Sequence, residues 1–159
     1  MIEPSWLTPE GQLDEGKLLE SFLEFWREHG EALLGASPYH EAAPQLVMMA
    51  FLHRVVNGLD TAIRGQIHRE YAIGRGRMDL LVTYGKTRLA IELKVWGPSQ
   101  PDPEKKGLQQ LDGYLAGLGL DHGWLVIFDR RPGLEPASER TSVTPARTPG
   151  GREVVVIRA

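Results

Sequence analysis

Gly85-Lys86 stands between two runs of apolar and β-branched residues, Arg77 to Tyr84 and Thr87 to Lys94. A two-residue turn with glycine first joins antiparallel strands in one register. If Tyr84 faces Thr87, then Asp79 lies opposite Glu92 and Arg77 opposite Lys94. Side chains alternate between faces along a strand, so Met78 with Leu93, Leu80 with Ile91 and Val82 with Leu89 make a continuous apolar surface. Asp79, Glu92 and Lys94 share the other face. Directly opposed residues have Cβ atoms about 4.5–5.5 Å apart, and two carboxylates so placed repel unless a cation compensates. Leu81 and Ala90 continue this second face as apolar residues, which sets the charges at the end of a partly covered surface. The alternative is an ordinary solvated face with basic neighbours, where a Lys94 ion pair would be worth little.

Around the hairpin the chain alternates helices and strands. Asp14 is placed to cap a helix through about His29, with Leu18, Leu19, Phe22, Leu23 and Trp26 at helical spacing. A second helix runs from near Pro38 to Asn57-Gly58, apolar around most of its circumference, with Pro44 marking its first turn or a kink. Gln66 to Ile73 reads as a strand, and Gly74-Arg75-Gly76 turns it into the hairpin, giving a three-strand meander. After a loop at 98–103, Leu108, Leu111, Leu115 and Leu118 mark a helix from Glu104 to Leu118 that Gly119 ends. Trp124 to Phe128 is apolar throughout, as in a strand buried on both faces and parallel to its neighbour. The expected order is αβββαβ, an α/β fold with a central mixed sheet flanked by helices. The 159 residues suit one domain. Within it, residues 1–36 read as an N-terminal helical extension and residues 130–151, rich in Pro, Ser, Thr, Arg and Gly, as an irregular loop before a last strand from Glu153 to Arg158.

With 42% hydrophobic and 25% charged residues and no cysteine, the composition is that of a cytoplasmic globular protein. No apolar run is long enough to span a bilayer and no secretory signal opens the chain. A formal net charge of −3 requires that contact with nucleic acid come from a local basic patch or from metal.

Two hard oxygen ligands on adjacent strands suit Mg²⁺ or Mn²⁺, which bind through one or two carboxylates and keep waters that a phosphate can replace. Lys94 is placed to orient a water or neutralise charge on a phosphoryl group. Arg75 and Arg77 near the glycine-rich turn, and Lys105 and Lys106 at a helix start, are candidate phosphate contacts. Five histidines show no zinc spacing. Tyr114 and Trp96 are candidates to stack on a base, although aromatics beside a sheet more often belong to the core.

Gly76-Arg77-Met78-Asp79 followed by Ile91-Glu92-Leu93-Lys94 resembles the PD-(D/E)XK nuclease superfamily, whose core is also αβββαβ. Gln110-Leu111-Asp112-Gly113-Tyr114 is similar to the QxxxY element of many of those nucleases. More narrowly, His40 to Pro44, Phe51-Leu52, Arg54 to Gly58, the Gly-Arg-Gly-Arg turn and Gly123 to Asp129 resemble the nuclease-like C-terminal domain of predicted prokaryotic AAA-type ATPases. The resemblance implies a restriction-endonuclease-like fold and hydrolysis of phosphodiesters in nucleic acid, DNA before RNA, with Mg²⁺ or Mn²⁺. It implies Asp79 and Glu92 as metal ligands, Lys94 as the residue serving the nucleophilic water, and Gln110 and Tyr114 as support for the site. Glu41 is the candidate for the first-helix acid of many relatives, with Glu70 a second candidate. Met78 stands where the superfamily's naming proline would be, and no Gly-x-x-x-x-Gly-Lys-Ser/Thr loop is present. The chain is then a fragment of, or a stand-alone relative of, such an ATPase. Expected partners are nucleic acid, an ATPase region or partner chain, and a second copy in a homodimer. Two rivals are a binding module that has lost turnover and an ATPase-associated assembly domain using Trp6, Phe22, Phe25 and Trp26 as an interface.

Overall fold

The computed structural model describes residues 8–10, 12–35, 43–57, 66–70 and 77–159. Helices α1 (Glu15–Gly35) and α2 (Ala43–Asn57) precede the meander β1 (Gln66–Glu70), β2 (Arg77–Tyr84) and β3 (Thr87–Trp96). Helix α3 (Glu104–Leu118), strand β4 (His122–Asp129), helix α4 (Ala137–Arg140) and strands β5 (Ser142–Arg147) and β6 (Glu153–Arg158) follow. The six strands form one mixed sheet in the order β1-β2-β3-β4-β6-β5. The expected α/β class, with a mixed sheet between helices, is what the structure shows.

Local chemistry explains the elements that position the hairpin. Gly85 has φ +59°, the left-handed conformation that a turn opening on glycine requires. The resulting register pairs Tyr84 with Thr87, Asp79 with Glu92 and Arg77 with Lys94, as the turn dictates. The side-chain oxygen of Gln12 accepts a 2.9 Å hydrogen bond from the Lys86 backbone N–H and so ties the start of the chain to this turn. At α1 the Asp14 carboxylate accepts from the Lys17 N–H at 3.1 Å, the expected N-cap. Pro44 falls in the first turn of α2, where its missing N–H has no helical partner to lose. Gly119, with φ +71°, ends α3.

The sheet buries two different faces. On one, Leu80, Val82, Leu89, Ile91 and Leu93 from the hairpin join Trp124, Val126, Phe128 and Ile157 under α1 and α2. Leu18, Phe22 and Trp26 of α1 are fully buried there. The N-terminal segment is therefore not an extension as expected: α1 closes the core. For the same reason Phe22 and Trp26 are unavailable as an interface, and Trp6 lies outside the described residues. On the other face Ala90, Trp96, Leu125, Ile127, Val154 and Val156 meet Leu111 and Leu115 of α3. Strand β4 is parallel to both β3 and β6, and Gly123 to Phe128 are all buried, which is why no polar face appears in its sequence.

The expected irregular loop at 130–151 is also corrected, since it holds α4 and β5. Strand β5 is the sheet edge and contains Pro145. An edge strand tolerates proline because half of its backbone groups face no partner strand, and the proline with its polar neighbours hid the strand in the sequence.

Two consequences follow from the packing. A Cβ on Gly123 would lie 2.9 Å from the Ala90 carbonyl oxygen and 3.2 Å from Leu115 Cδ2. Gly123→Ala is thus expected to force β4 away from its partners and cost about 1–3 kcal/mol, read as a lower midpoint in denaturant unfolding. His122, at the start of β4, contacts Asp121 at 3.0 Å and Glu15 of α1 at 2.9 Å. Its pKa is raised, by the Asp121 hydrogen bond and then the Glu15 contacts, against an opposing push from burial. A group whose folded pKa is raised stabilises below its unfolded value and loses that contribution as pH rises through the folded value. Stability is expected to fall as pH climbs from below 6.5, the ordinary histidine value, and His122→Gln should flatten this part of a Tm-against-pH profile.

Candidate active site

Alternation along β2 and β3 places Asp79, Glu92 and Lys94 on the sheet face covered by α3. They are not solvated: relative exposure is 5% for Asp79, 0% for Glu92 and 9% for Lys94. This decides against the bland reading of the hairpin. Ionised groups taken out of water carry a large desolvation cost unless charge and hydrogen bonds compensate. Among the described residues, the buried atoms Oδ1 of Asp79 and Oε2 of Glu92 meet no hydrogen-bond donor, while both carboxylates engage other groups within the protein.

Helix α3 supplies the next member. Gln110 Oε1 accepts a 3.0 Å hydrogen bond from Lys94 Nζ, joining helix to strand across 16 residues of sequence. Tyr114, one turn on, packs half-buried against the same apolar layer as Ala90 and Leu111. The structure therefore brings Asp79, Glu92, Lys94 and Gln110 together and keeps Tyr114 on the adjoining turn. Lys105 and Lys106 are exposed in the first turn of α3. Arg77 occupies the register position opposite Lys94, and Glu70 the position opposite Asp79 on β1. Backbone pairing thus sets Glu70, Asp79 and Glu92 in one row across three strands. Glu41 and Arg75 lie outside the described residues.

The donor set of the hairpin fits a hard divalent cation. Two buried carboxylates on adjacent strands offer oxygen ligands of the kind Mg²⁺ and Mn²⁺ take, with the remaining positions left to water and substrate. Among the described residues no group of three or more His, Cys, Asp and Glu side chains is arranged around a metal position. Two protein carboxylates would then be the complement supplied by these residues.

Sequence reasoning named Trp96, on the same face, but missed the arginines that gather around it. Trp96, two residues beyond Lys94, donates its indole N–H to the Gln100 carbonyl at 2.9 Å. The Arg131 guanidinium stacks 3.5 Å from its ring centroid, and that of Arg158 lies at 5.7 Å. Asp129 grips Arg131 through Nε at 2.9 Å and Nη2 at 2.7 Å. Burial pushes the Asp129 carboxyl up, but the side-chain and backbone hydrogen bonds from Arg131 outweigh it and hold the pKa below its ordinary value. The one local signal was the Asp129-Arg130-Arg131 sequence at a strand end; Arg158 comes from a strand with no local link to it.

A cavity of about 640 Å³ opens at the other end of the parallel strands, lined by Glu15, Leu19, His122, Trp124, Arg147 and Val155 among others and by no member of the carboxylate hairpin. Among the described residues no helix is long and apolar enough to cross a membrane. Comparison with curated proteins and with solved structures yields no match. A family model does match, over residues 22–131, from the middle of α1 to the arginine above Trp96, with Asp79, Glu92, Lys94 and Gln110 inside it. It spans more than two thirds of the sequence, and the chain belongs to that family, described as a domain of unknown function (DUF8371).

Proposed function

We propose that this protein is a metal-dependent nuclease of the PD-(D/E)XK type, hydrolysing phosphodiester bonds in nucleic acid, with DNA the first substrate to test. The observation that carries the reading is the burial of two directly opposed carboxylates, Asp79 and Glu92, beside a lysine. Burying such a pair carries a desolvation cost and mutual repulsion that an apolar pair would not. A site that must hold a divalent cation needs the two carboxylates.

Asp79 and Glu92 would hold Mg²⁺ or Mn²⁺. When bound, such an ion polarises a phosphoryl oxygen and makes water a nucleophile at neutral pH. Lys94 is the residue assigned to that water and to the charge that builds on the phosphate. A lysine ammonium is a mobile point charge on a flexible stem, and Gln110 restrains it: with Oε1 accepting from Nζ, the ammonium is held at the carboxylate end of the face. Gln110 is therefore a positioning residue. Tyr114 supports the turn that carries it, and Arg77 holds the register position opposite Lys94.

Calorimetric titration with Mg²⁺ or Mn²⁺, followed by cleavage assays on single- and double-stranded DNA, tests the reading in wild type and Asp79→Asn. Metal uptake and cleavage should both be present in wild type and both be lost in the variant. A wild-type protein that takes up neither ion, even with nucleic acid present, would falsify the assignment.

A further inference from the structure

Strands β3, β4 and β6 are parallel neighbours, and they end at Trp96, Asp129 and Arg158 respectively. In open α/β sheets the crevice outside the carboxyl ends of such strands is where ligands are bound. Here that edge holds a pocket of about 380 Å³ whose walls include Trp96, Arg131, Arg140 and Arg158 against the acids Asp129 and Glu135. Its Trp96 wall belongs to the same strand face as Glu92 and Lys94, and Trp96 is about 7 Å along β3 from Lys94 at the usual strand rise.

The arginines are prepared for a ligand. Asp129 takes the Nε and Nη2 edge of Arg131, and the bonds from Arg158 to Asp102 and Glu104 all leave from Nη2. A guanidinium carries five N–H donors in a fixed fork. Among the described residues the Nη1 group of Arg131, and the Nε and Nη1 groups of Arg158, make no hydrogen bond within the protein. The acids thus lock both forks in place while leaving donors on the wall of an open pocket, and the Trp96 ring supports the Arg131 plane from beneath. Side-chain exposures of 39% for Arg131 and 30% for Arg158 leave both within reach of a ligand. Planar donor forks of this kind match the oxygens of a phosphate.

We propose that Arg131 and Arg158 bind the phosphate backbone of the nucleic-acid strand next to the bond that is cut, so that the strand runs from Lys94 across the roof of Trp96 to the carboxyl edge of the sheet. This rests on the nuclease reading for the class of ligand and goes beyond it in assigning the track. The contact is to backbone phosphates and carries no sequence preference.

Each lost phosphate contact lowers the slope of log affinity against log salt by about one. Fluorescence anisotropy of labelled single- and double-stranded DNA, with EDTA present so that hydrolysis does not compete, reads that slope across a salt series. Arg131→Gln and Arg158→Gln are each expected to reduce it by about one, Arg158→Lys to preserve it, and Arg147→Gln to leave it unchanged. Arg147 is an exposed arginine paired in register with the start of β6, away from the pocket. Thermal melting of each variant separates loss of contact from loss of fold. Slopes equal to wild type in both folded glutamine variants, or no DNA binding by wild type, overturn the track. If wild type binds with the arginine-dependent slope but does not cleave when Mg²⁺ is added, the track stands and the nuclease reading falls. Cleavage with unchanged slopes has the opposite meaning.

Discussion

Glu92→Gln is expected to remove metal-dependent cleavage by a factor of roughly 10³ or more, the scale of losing a main electrostatic element of a catalytic site, while leaving the fold as stable as before. Glutamine has nearly the shape of glutamate, so the packing around a side chain of 0% exposure is kept. What changes is charge. The opposed Asp79 no longer faces a second carboxylate, and relief of that repulsion offsets the lost interactions of Glu92 to within about 1 kcal/mol. A second readout needs no substrate: a ligand that binds only the native state raises stability by mass action. Tm of wild type should therefore climb with added Mg²⁺ or Mn²⁺, and Tm of the variant should stay flat. Retained cleavage in Glu92→Gln, or a fall in Tm like that of a core deletion, would remove Glu92 from the chemistry and make it a structural residue.

The largest loss of stability is expected from Trp26→Ala. Trp26 is fully buried in α1, its ring 4.9 Å from that of Phe128 on β4 and 6.2 Å from that of Phe22. One turn later Gly30 leaves room for it, since a Cβ there would come within 2.9 Å of the indole. Deleting such a side chain costs about 3–5 kcal/mol, a large part of the stability of a domain this size. Trp26→Phe should cost far less, because the indole N–H is buried without a hydrogen-bond partner among the described residues and phenylalanine removes it. Urea unfolding of both variants gives the comparison. If the alanine variant loses less than 1 kcal/mol, α1 is an appendage after all and the core lies elsewhere.

These two sites were not equally legible. The hairpin could be read to single-residue register because a period of two and a two-residue glycine turn leave one arrangement, and Asp79 opposite Glu92 followed from counting. Helix α3 was equally plain, with its leucine stripe from Leu108 to Leu118 and Gly119, in the left-handed region, to end it. Burial of the carboxylates was only half legible. It depends on α3 folding back over the face on which they sit, which the leucine stripe implies but cannot locate. The meeting of Lys94 with Gln110 depends on that same fold-back, and the sequence offered it only through family likeness. The group around Trp96 was hidden, since Arg158 reaches it because β6 lies next to β4, a pairing that no local pattern announces. The misreading of α1 as an extension has a related cause: periodicity showed that Leu18, Phe22 and Trp26 share a stripe, and left open what the stripe covers.

Strand β6 lies between β4 and β5, and β5, which comes first in the chain, has β6 as its one sheet neighbour. Until residues 153–158 pair, β4 has no strand on its far side, and β4 is apolar on both faces. Its outer edge then presents open N–H and C=O groups on a greasy ribbon, the kind of surface that pairs with the wrong chain. Residues 142–147 wait beside it with no neighbour to pair with. The hazardous state of this fold is thus the one in which residues 153–158 have not yet paired, and the strand that delivers Arg158 is also the one that covers the far edge of β4.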